Sequence, residues 1–259
     1  MKKFLTVALA GVLAASMLFT GCSKKEESKV PDKLIVGTNA EFPPFEYMND
    51  KKQPDGFDIA MIKEIGKRMD KKVEIQNMEF KSLIGAMESN SINTIIAGMT
   101  KTKERQKSVD FSDSYYTSEN VVIVKKDKVN DFTSADSLAK QTVGTQKGSV
   151  QETIAKKQLS KASVVSLASN GEMINELTSG QIQAVVLEKA IAEGYIAQND
   201  DLTLASFNLK SDGSDAYAVA IRKGSDDLLK EINAVIKETK ESGKFDQWLK
   251  EASSYKQSK

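Results

Sequence analysis

Histidine is absent from the 259-residue chain, and Cys22 is its only cysteine. Without histidine, the chain cannot form a serine–histidine or cysteine–histidine nucleophile, nor a metal site with imidazole ligands. A single cysteine excludes an internal disulfide and leaves no thiol catalyst in the body of the fold. The formal net charge of +1 gives no support for nucleic-acid binding. We therefore expect no metal ion, no cofactor and no nucleic acid among the partners of this protein.

The amino terminus has the pattern of a targeting segment. Lys2 and Lys3 form a positive region, residues 4–20 are mostly apolar, and Gly21 and Cys22 follow directly. The apolar run is slightly short for a membrane-spanning helix, which needs about 20 apolar residues. A cysteine at this place resembles that of a bacterial lipoprotein signal, where it is lipidated and becomes the new amino terminus. The alternative is an ordinary secretory signal. We favour the lipoprotein interpretation because the only cysteine stands where lipidation would occur.

We therefore predict a lipoprotein signal with a lipidated cysteine over residues 1–22 and a flexible tether over residues 23–32. The stretch SKKEESKV (23–30) is polar and precedes Pro31, which is typical of a tether. Acyl chains such as palmitate on Cys22 would anchor the protein to the cell membrane. The folded part would then face the extracellular side or the periplasm.

From the end of the tether onward, short apolar, β-branched runs alternate with helical patterns. The runs that indicate strands cover residues 34–38, 72–78, 94–99, 120–126, 142–146, 163–167, 184–188 and 216–221. Between the first two runs, Phe57, Met61, Ile65 and Met69 recur every fourth residue, as on the buried face of a helix. This alternation predicts an α/β fold with mainly parallel sheets.

The strand and helix units fall into two series, which predict two α/β lobes. We expect a first lobe over residues 33–120, a second lobe over residues 121–215, and a return segment over residues 216–255 that completes the first lobe. A chain that crosses between two lobes twice has a cleft and can bend at a hinge.

Polar and aromatic residues follow the predicted strands at their carboxyl ends, where open α/β sheets bind their ligands. These residues are Asn39, Phe42, Phe80, Thr100, Arg105, Ser149 and Glu188. Each has an ordinary structural explanation when it is taken alone. Arg105 can be one more charge on a lysine-rich helix, Ser149 a helix N-cap, and Glu188 an acidic residue at a helix start. Phe42 can fold onto the core from a loop.

Taken together, the same residues describe a site for an α-amino acid. Arg105 carries a planar donor fork that suits a carboxylate. Backbone N–H groups near Ser149 and Val150, at a predicted helix N-terminus, also favour an anion. Glu188 on the same cleft would match an ammonium group. The two phenylalanines could hold an aliphatic stem between their rings.

Four stretches resemble the polar amino-acid solute-binding proteins of ABC importers. They are GTNAEFPPFEY (37–47), GFDIAMIKEIGKR (56–68), IIAGMTKTKERQKSVDFSDSYY (95–116) and a closing segment that begins AVAIRKGS (218–225). The similarity covers nearly all of residues 33–251. It implies a type II periplasmic-binding-protein-like fold, in which two α/β lobes are joined by a two-stranded hinge and close on one amino acid.

The resemblance also implies which residues bind the acid group of the ligand. At the matched positions, Arg105 and Thr100 bind the α-carboxylate. The backbone near Ser149 and Val150 assists them. In this interpretation the motif after the strand at 94–99 is the carboxylate-binding part of the site.

Other matched positions imply contacts to the rest of the ligand. Gly98, through its carbonyl group, and Glu188 bind the α-ammonium, while Phe42 and Phe80 stack on the ligand side chain. Many members of the family carry aspartate where this chain has Glu188. The charge is therefore kept, and the reach of the side chain is longer.

The residues that face the ligand side chain leave the identity of the amino acid open. Asn39 stands where many members have aspartate or glutamate. Gln146 stands at another position that faces the ligand side chain, and it is neutral too. This pair favours a side chain recognised by hydrogen bonds, such as that of glutamine. Glu41 and Glu46 are close in sequence and could reach the site, so arginine, lysine, histidine and cystine remain candidates.

The resemblance implies partners as well as a ligand. A membrane-tethered monomer would capture a free amino acid and deliver it to an ABC permease and, through the permease, to its ATPase. The alternative is a dehydratase-like enzyme on the same scaffold, in which Glu188 donates a proton. We favour the receptor, and expect no catalytic activity, because no histidine, thiol or metal cluster supports turnover.

Overall fold

The structure of the protein is a computed structural model that describes residues 30–211 and 215–254. The predicted lipoprotein signal, Cys22 and most of the predicted tether therefore lie outside the described residues. Within the two described ranges, no helix combines the length and the apolar character that a membrane crossing requires.

Strands and helices alternate along most of the chain. In chain order the strands are β1 (Lys33–Thr38), β2 (Glu41–Phe42), β3 (Glu46–Met48), β4 (Pro54–Asp55), β5 (Lys72–Asn77), β6 (Thr94–Ile95), β7 (Val109–Phe111), β8 (Tyr116–Thr117), β9 (Asn120–Lys125), β10 (Thr142–Gln146), β11 (Ser163–Leu167), β12 (Ala184–Glu188), β13 (Leu202–Leu209), β14 (Ala216–Tyr217) and β15 (Ala220–Arg222). The helices are α1 (Phe57–Arg68), α2 (Leu83–Glu88), α3 (Val150–Gln158), α4 (Asn170–Ser179), α5 (Lys189–Ile196), α6 (Asp226–Glu241) and α7 (Lys244–Ser254). Short 3-10 helices cover Phe80–Ser82, Arg105–Lys107, Lys126–Lys128 and Ala135–Leu138.

The principal strands form two five-stranded sheets of the same design. Their strand orders are β5–β1–β6–β15–β7 and β11–β10–β12–β9–β13. In each sheet the first three strands are parallel, and the fourth strand pairs antiparallel with both of its neighbours. Four strands of each sheet therefore point the same way, which confirms the prediction of mainly parallel sheets.

Two paired segments connect the sheets. Strand β8 leads from the first sheet towards the second, and β14 returns to the first sheet. They pair antiparallel, with Tyr217 opposite Tyr116. This pairing is the expected two-stranded hinge. We call the unit built on the β1 sheet the first lobe and the unit built on the β10 sheet the second lobe. The residue boundaries given above for the lobes stay a prediction.

The observed strands depart from the predicted ones where the backbone bonds elsewhere. The run at 94–99 is a strand only as far as Ile95, because Gly98 has a φ of +52° and its N–H donates to the side chain of Asp58. The pattern did not indicate β13 at all. Its pairing with β9 shifts register between Leu204 and Asn208, and that irregularity disrupts the period of two that marks a strand.

The core covers both faces of the sheets. In β9, Val121 and Ile123 pack into one apolar cluster, whereas Val122 and Val124 pack into another on the opposite face. Successive side chains of a strand point to opposite faces, so a strand buried on both sides needs a continuous apolar run. Burial of each such side chain contributes about 1.5–3 kcal/mol. This rigid framework positions the strand ends that face the cleft.

Candidate ligand-binding site

A cavity lies where the carboxyl ends of strands from the two lobes face each other. The space within it that a water-sized sphere can occupy is only about 10 Å³, so the two lobes lie close together around it. The lining residues are Phe42, Phe80, Gly98, Thr100, Arg105, Gln146, Ser149, Val150, Gln151 and Glu188. The structure thus brings together, from both lobes, every residue named for the site from the sequence except Asn39, which bonds to one of them. Their binding roles stay predictions.

Arg105 is held at the edge of the first lobe by its neighbours in sequence. It begins a 3-10 helix, and its backbone N–H donates to Thr102 Oγ1 at 3.1 Å. Its Nη1 donates to both the carbonyl oxygen and Oγ1 of Thr100, each at 2.8 Å. These bonds fix the direction of the guanidinium group before any ligand contact is considered.

The guanidinium of Arg105 also reaches the second lobe. Its Nη2 donates to the carbonyl oxygen of Gly148 at 3.1 Å, and its Cζ lies 5.2 Å from the centre of the Phe80 ring. Burial lowers the pKa of Arg105 to about 10, while the nearby Glu188 carboxylate raises it. The group therefore remains a cation at neutral pH.

Glu188 provides the opposite charge from the end of β12. Its side chain is almost fully buried. Burial raises the pKa of Glu188 to about 7, while the side chain of Gln151 and the charge of Arg105 act in the opposite direction. A buried carboxyl group with a pKa near neutrality responds strongly to an additional positive charge.

Gln151 is a cavity residue that the sequence reasoning missed. It lies in the first turn of α3, and its Nε2 donates to Asn120 Oδ1 at 2.8 Å. Ser149 is the N-cap of the same helix, and its Oγ accepts from the N–H of Glu152 at 3.1 Å. Because Ser149 was expected both as an N-cap and at the cleft, the two residues that follow it, Val150 and Gln151, could also have been expected there. The first-turn N–H groups of such a helix lack partners within the helix.

Phe42 and Gly98 form one wall of the cavity. Phe42 lies in β2 with its ring centre 6.1 Å from that of Tyr217. A Cβ atom added to Gly98 would lie 2.5 Å from Cε1 of Phe42, and the φ of +52° already favours glycine there. The close approach of ring and backbone therefore requires glycine at this position.

Asn39 and Gln146 bond to each other across the cleft. Gln146 Nε2 donates to Asn39 Oδ1 at 2.9 Å, and Asn39 Nδ2 donates to the carbonyl oxygen of Met78 at 3.0 Å. One neutral side chain from each lobe thus meets the other behind the cavity.

Glu41 forms a second bridge between the lobes, outside the cavity lining. Its Oε2 accepts from the N–H of Asn170 at 3.1 Å, at the start of α4. Its carbonyl oxygen accepts from Asn170 Nδ2 at 3.1 Å and from the hydroxyl of Tyr195 at 3.0 Å. Glu46 is fully buried and does not line the cavity either. Neither of the two glutamates that could have selected a cationic side chain lies against the cavity.

Comparison with known proteins decides the family. The bacterial extracellular solute-binding proteins, family 3, match residues 34–252. The chain belongs to this family. The amino-acid solute-binding function of an ABC importer, expected from the sequence motifs, is confirmed at this level, as is the two-lobed fold.

Individual members of family 3 are similar over almost the whole chain. The arginine-binding extracellular protein ArtP of Bacillus subtilis is 34% identical over 258 residues, covering 96% of this chain and 97% of ArtP. The ABC transporter glutamine-binding protein GlnH of the same organism is 31% identical, covering 97% of this chain and 98% of GlnH. The crystal structure of AbpA from Streptococcus pneumoniae, bound to L-arginine, is 40% identical. It has a TM-score of 0.83 and covers 86% of this chain and 94% of AbpA.

Proposed function

We propose that this protein captures L-arginine outside the cell and delivers it to an ABC permease coupled to an ATPase. One observation carries the proposal: Arg105 of the first lobe and Glu188 of the second line the same buried cavity. Opposite charges held apart in one cavity are complementary to the two ends of an amino-acid backbone. The names of ArtP and AbpA support arginine as the amino acid.

The carboxylate end of the ligand would lie against Arg105. The guanidinium offers a planar donor fork, already directed by its bonds to Thr100. The hydroxyl of Thr100 and the first-turn N–H groups at Val150 and Gln151 add further donors. Such a set of donors binds a carboxylate better than a neutral group.

The ammonium end would lie against Glu188 and the carbonyl oxygen of Gly98. Both residues line the cavity. A bound ammonium would lower the pKa of Glu188 from about 7, so binding favours the ionised carboxylate. The pair is desolvated in the cavity and is therefore stronger than an exposed ion pair.

The side chain of arginine would extend between Phe42 and Phe80 towards Asn39 and Gln146. A guanidinium is attracted to the face of an aromatic ring. The amide oxygens of the two neutral residues can accept its N–H bonds. Glutamine could use the same amides, and the name of GlnH makes it the first competitor.

A ligand panel tests the identity of the amino acid. We would measure thermal shifts and calorimetric affinities for arginine, citrulline, glutamine, lysine, histidine and cystine. Citrulline matches arginine in shape but lacks its charge. A ligand at 100 times its Kd stabilises the fold by about 2.7 kcal/mol, which raises Tm by about 5–11 °C for a chain of this size. Arginine should give the largest shift. A neutral ligand that binds more tightly than arginine would overturn the choice of arginine, and no shift with any amino acid would overturn the site.

We further propose that acyl chains on Cys22 anchor a monomer to the outer face of the membrane. The support is the position of the only cysteine directly after the apolar run. Metabolic labelling with palmitate should mark the membrane fraction, and a Cys22→Ser variant should be unlabelled and released. Gel filtration of the variant should give the mass of one chain. Labelling that survives the substitution would contradict the anchor.

A receptor consumes nothing, and family 3 is a family of solute-binding proteins rather than of enzymes. We propose that the bound amino acid leaves unchanged. Prolonged incubation with arginine, followed by mass spectrometry, should return only arginine. A dehydrated or deaminated product that disappears in a Glu188→Gln variant would instead support the enzyme alternative.

A further inference from the structure

Two carboxyl groups lie behind the cavity wall, away from solvent. Glu46 begins β3 and Asp58 lies in the first turn of α1, and each is 0% exposed. Asp58 Oδ2 accepts from the N–H of Gly98 at 2.9 Å and from the hydroxyl of Tyr115 at 2.8 Å. Asp58 therefore holds the backbone of a residue that lines the cavity.

The remaining oxygens of the two groups receive no other donor. Among the described residues, no N–H or O–H group donates a hydrogen bond to Asp58 Oδ1 or to either carboxyl oxygen of Glu46. The N–H of Asp58 donates to the carbonyl oxygen of Phe45, the neighbour of Glu46, at 2.8 Å, and the two carboxyl groups lie within hydrogen-bonding reach of each other. A carboxylate cannot donate, so two ionised groups would leave these buried oxygens unsatisfied. A single proton between them forms one hydrogen bond and removes one buried charge.

The surroundings of the pair favour this proton. The titratable groups that act on the pair are Tyr115, Tyr217 and Glu188. Within the described ranges, neither carboxyl group forms an ion pair with a lysine or arginine. Burial and the charge of Asp58 raise the pKa of Glu46 well above its usual range, and burial raises the pKa of Asp58 to about 6. The proton therefore resides mainly on Glu46, and Asp58 keeps the charge that attracts the N–H of Gly98.

We propose that Glu46 and Asp58 share one proton and act as positioning residues for Gly98, so that the Gly98 carbonyl meets the ammonium group of the bound amino acid. The positioning part of this inference rests on the proposed amino-acid site. Strand β6 ends at Ile95, and the N–H of Gly98 donates to the side chain of Asp58 rather than to a neighbouring strand. Phe42 on the other side prevents the backbone from moving outward.

The proton itself is tested by infrared difference spectroscopy of the full chain. A protonated carboxyl group has a carbonyl stretch that a carboxylate lacks. At mildly alkaline pH, wild type minus Glu46→Gln should show this band. The matched control is Glu251→Gln, which replaces an exposed carboxyl group on α7 and should show none. Absence of the band in the Glu46→Gln difference would overturn the shared proton whether or not the protein binds an amino acid.

Positioning is tested by the affinity for arginine of two substitutions at the same site. Glu46→Gln keeps a donor towards Asp58, whereas Glu46→Leu removes it. We expect the glutamine variant to bind within about threefold of wild type and the leucine variant to lose about tenfold or more, since an unpaired buried acceptor is costly. Equal affinities for the two variants would overturn the positioning role.

The pH profile of binding separates positioning from a merely structural role. Loss of the shared proton as pH rises should weaken binding by wild type but not by Glu46→Gln. Both proteins contain Glu188 and bind the same ligand amine. The titrations of these two groups therefore affect both profiles equally and cancel in the difference between them. Parallel profiles would overturn the proposal. If the Glu46→Leu variant does not fold, the pH profiles of wild type and Glu46→Gln still test the positioning role. If wild type binds no amino acid, the proposed function fails and the infrared band alone decides the proton.

Discussion

The first lobe backs its side of the cavity with buried polar residues, whereas the second lobe presents a helix start and a strand end. In the first lobe, Arg105 is bonded to Thr100 and Gly98 to Asp58. In the second lobe, the contributions are the first turn of α3 and the carboxyl group of Glu188. The two sheets have the same strand order, so fold alone does not produce this difference.

The two lobes contribute to the candidate site in different ways. The first lobe directs Arg105 and Gly98 mainly through contacts within that lobe, so we expect it to take the leading part in binding the proposed ligand. The second lobe supplies one charge and a set of helix N–H groups. Removal of the Arg105 side chain from the first lobe should therefore reduce affinity more than neutralisation of Glu188 in the second, and variants between the lobes should have the smallest effect.

The largest effect is expected for Arg105→Ala. Removal of one partner of a desolvated charge pair typically costs about 2–5 kcal/mol, so binding should be undetectable at micromolar arginine. Calorimetry measures the loss, and circular dichroism should show an unchanged fold because Arg105 is only partly buried. Near-native affinity in this variant would contradict the assigned carboxylate site and the leading role of the first lobe.

A smaller effect is expected for Glu188→Gln, with a loss of about 2 kcal/mol in binding. The variant should also change the pH dependence. In wild type, affinity should increase as pH rises through about 7, because the ammonium of the ligand prefers the ionised carboxylate. The glutamine variant should show a flat profile in this range. A profile that persists in the variant would assign the titration to another group.

Without ligand, Glu188 should lower the free energy of unfolding as pH rises, whereas it raises the affinity for the ligand over the same pH range. The pKa of Glu188 is raised from 4.5 to about 7 on folding, so its contribution is complete below pH 4.5 and is lost as pH rises through about 7. Urea unfolding at several pH values measures the free energy of unfolding. The raised pKa values of Glu46 and Asp58 add a further decline that both proteins share. Glu188→Gln should therefore show a smaller decline than wild type between the two values, and a decline of equal size in both proteins would contradict the assignment.

Gly98→Ala tests the tight wall of the first lobe. A left-handed backbone costs a residue with a side chain about 1–2 kcal/mol, and the new Cβ would also press on Phe42. We expect a lower Tm together with weaker arginine binding. Gly180→Ala is the control, since Gly180 has a φ of +82° but no atom within 4 Å of the added Cβ. The control should lose stability but not affinity.

The smallest effect is expected for Glu41→Ala, which removes the side-chain bond to Asn170 but keeps the two bonds to the Glu41 carbonyl oxygen and leaves the cavity lining untouched. An exposed or partly exposed charged contact contributes about 0–1 kcal/mol, so affinity should fall by about fivefold at most. Calorimetry with arginine measures the difference. A loss as large as that of Glu188→Gln would show that closure, not ligand contact, dominates the second lobe.

Much of the candidate site could be predicted because its residues follow strands. Thr100, Arg105 and Glu188 stand just beyond or at the end of apolar runs, and parallel strands carry such residues to one edge of a sheet. Gln151 was missed because its local sequence pattern is the same as that of any solvent-exposed polar residue in the first turn of a helix. Strand β13 was missed because its irregular pairing hides the period of two.

The sequence by itself determined the local elements: the apolar runs of the strands, the N-cap at Ser149 and the order of the units along the chain. These features depend on neighbouring residues and the period of a strand or helix. Only the tertiary structure decided the environment of Glu41 and Glu46. Five residues apart and chemically identical, one bridges the lobes while the other is sealed beside Asp58. Their contacts, and the protonation of Glu46, depend on which distant segments pack around them, and local sequence carries no record of that packing.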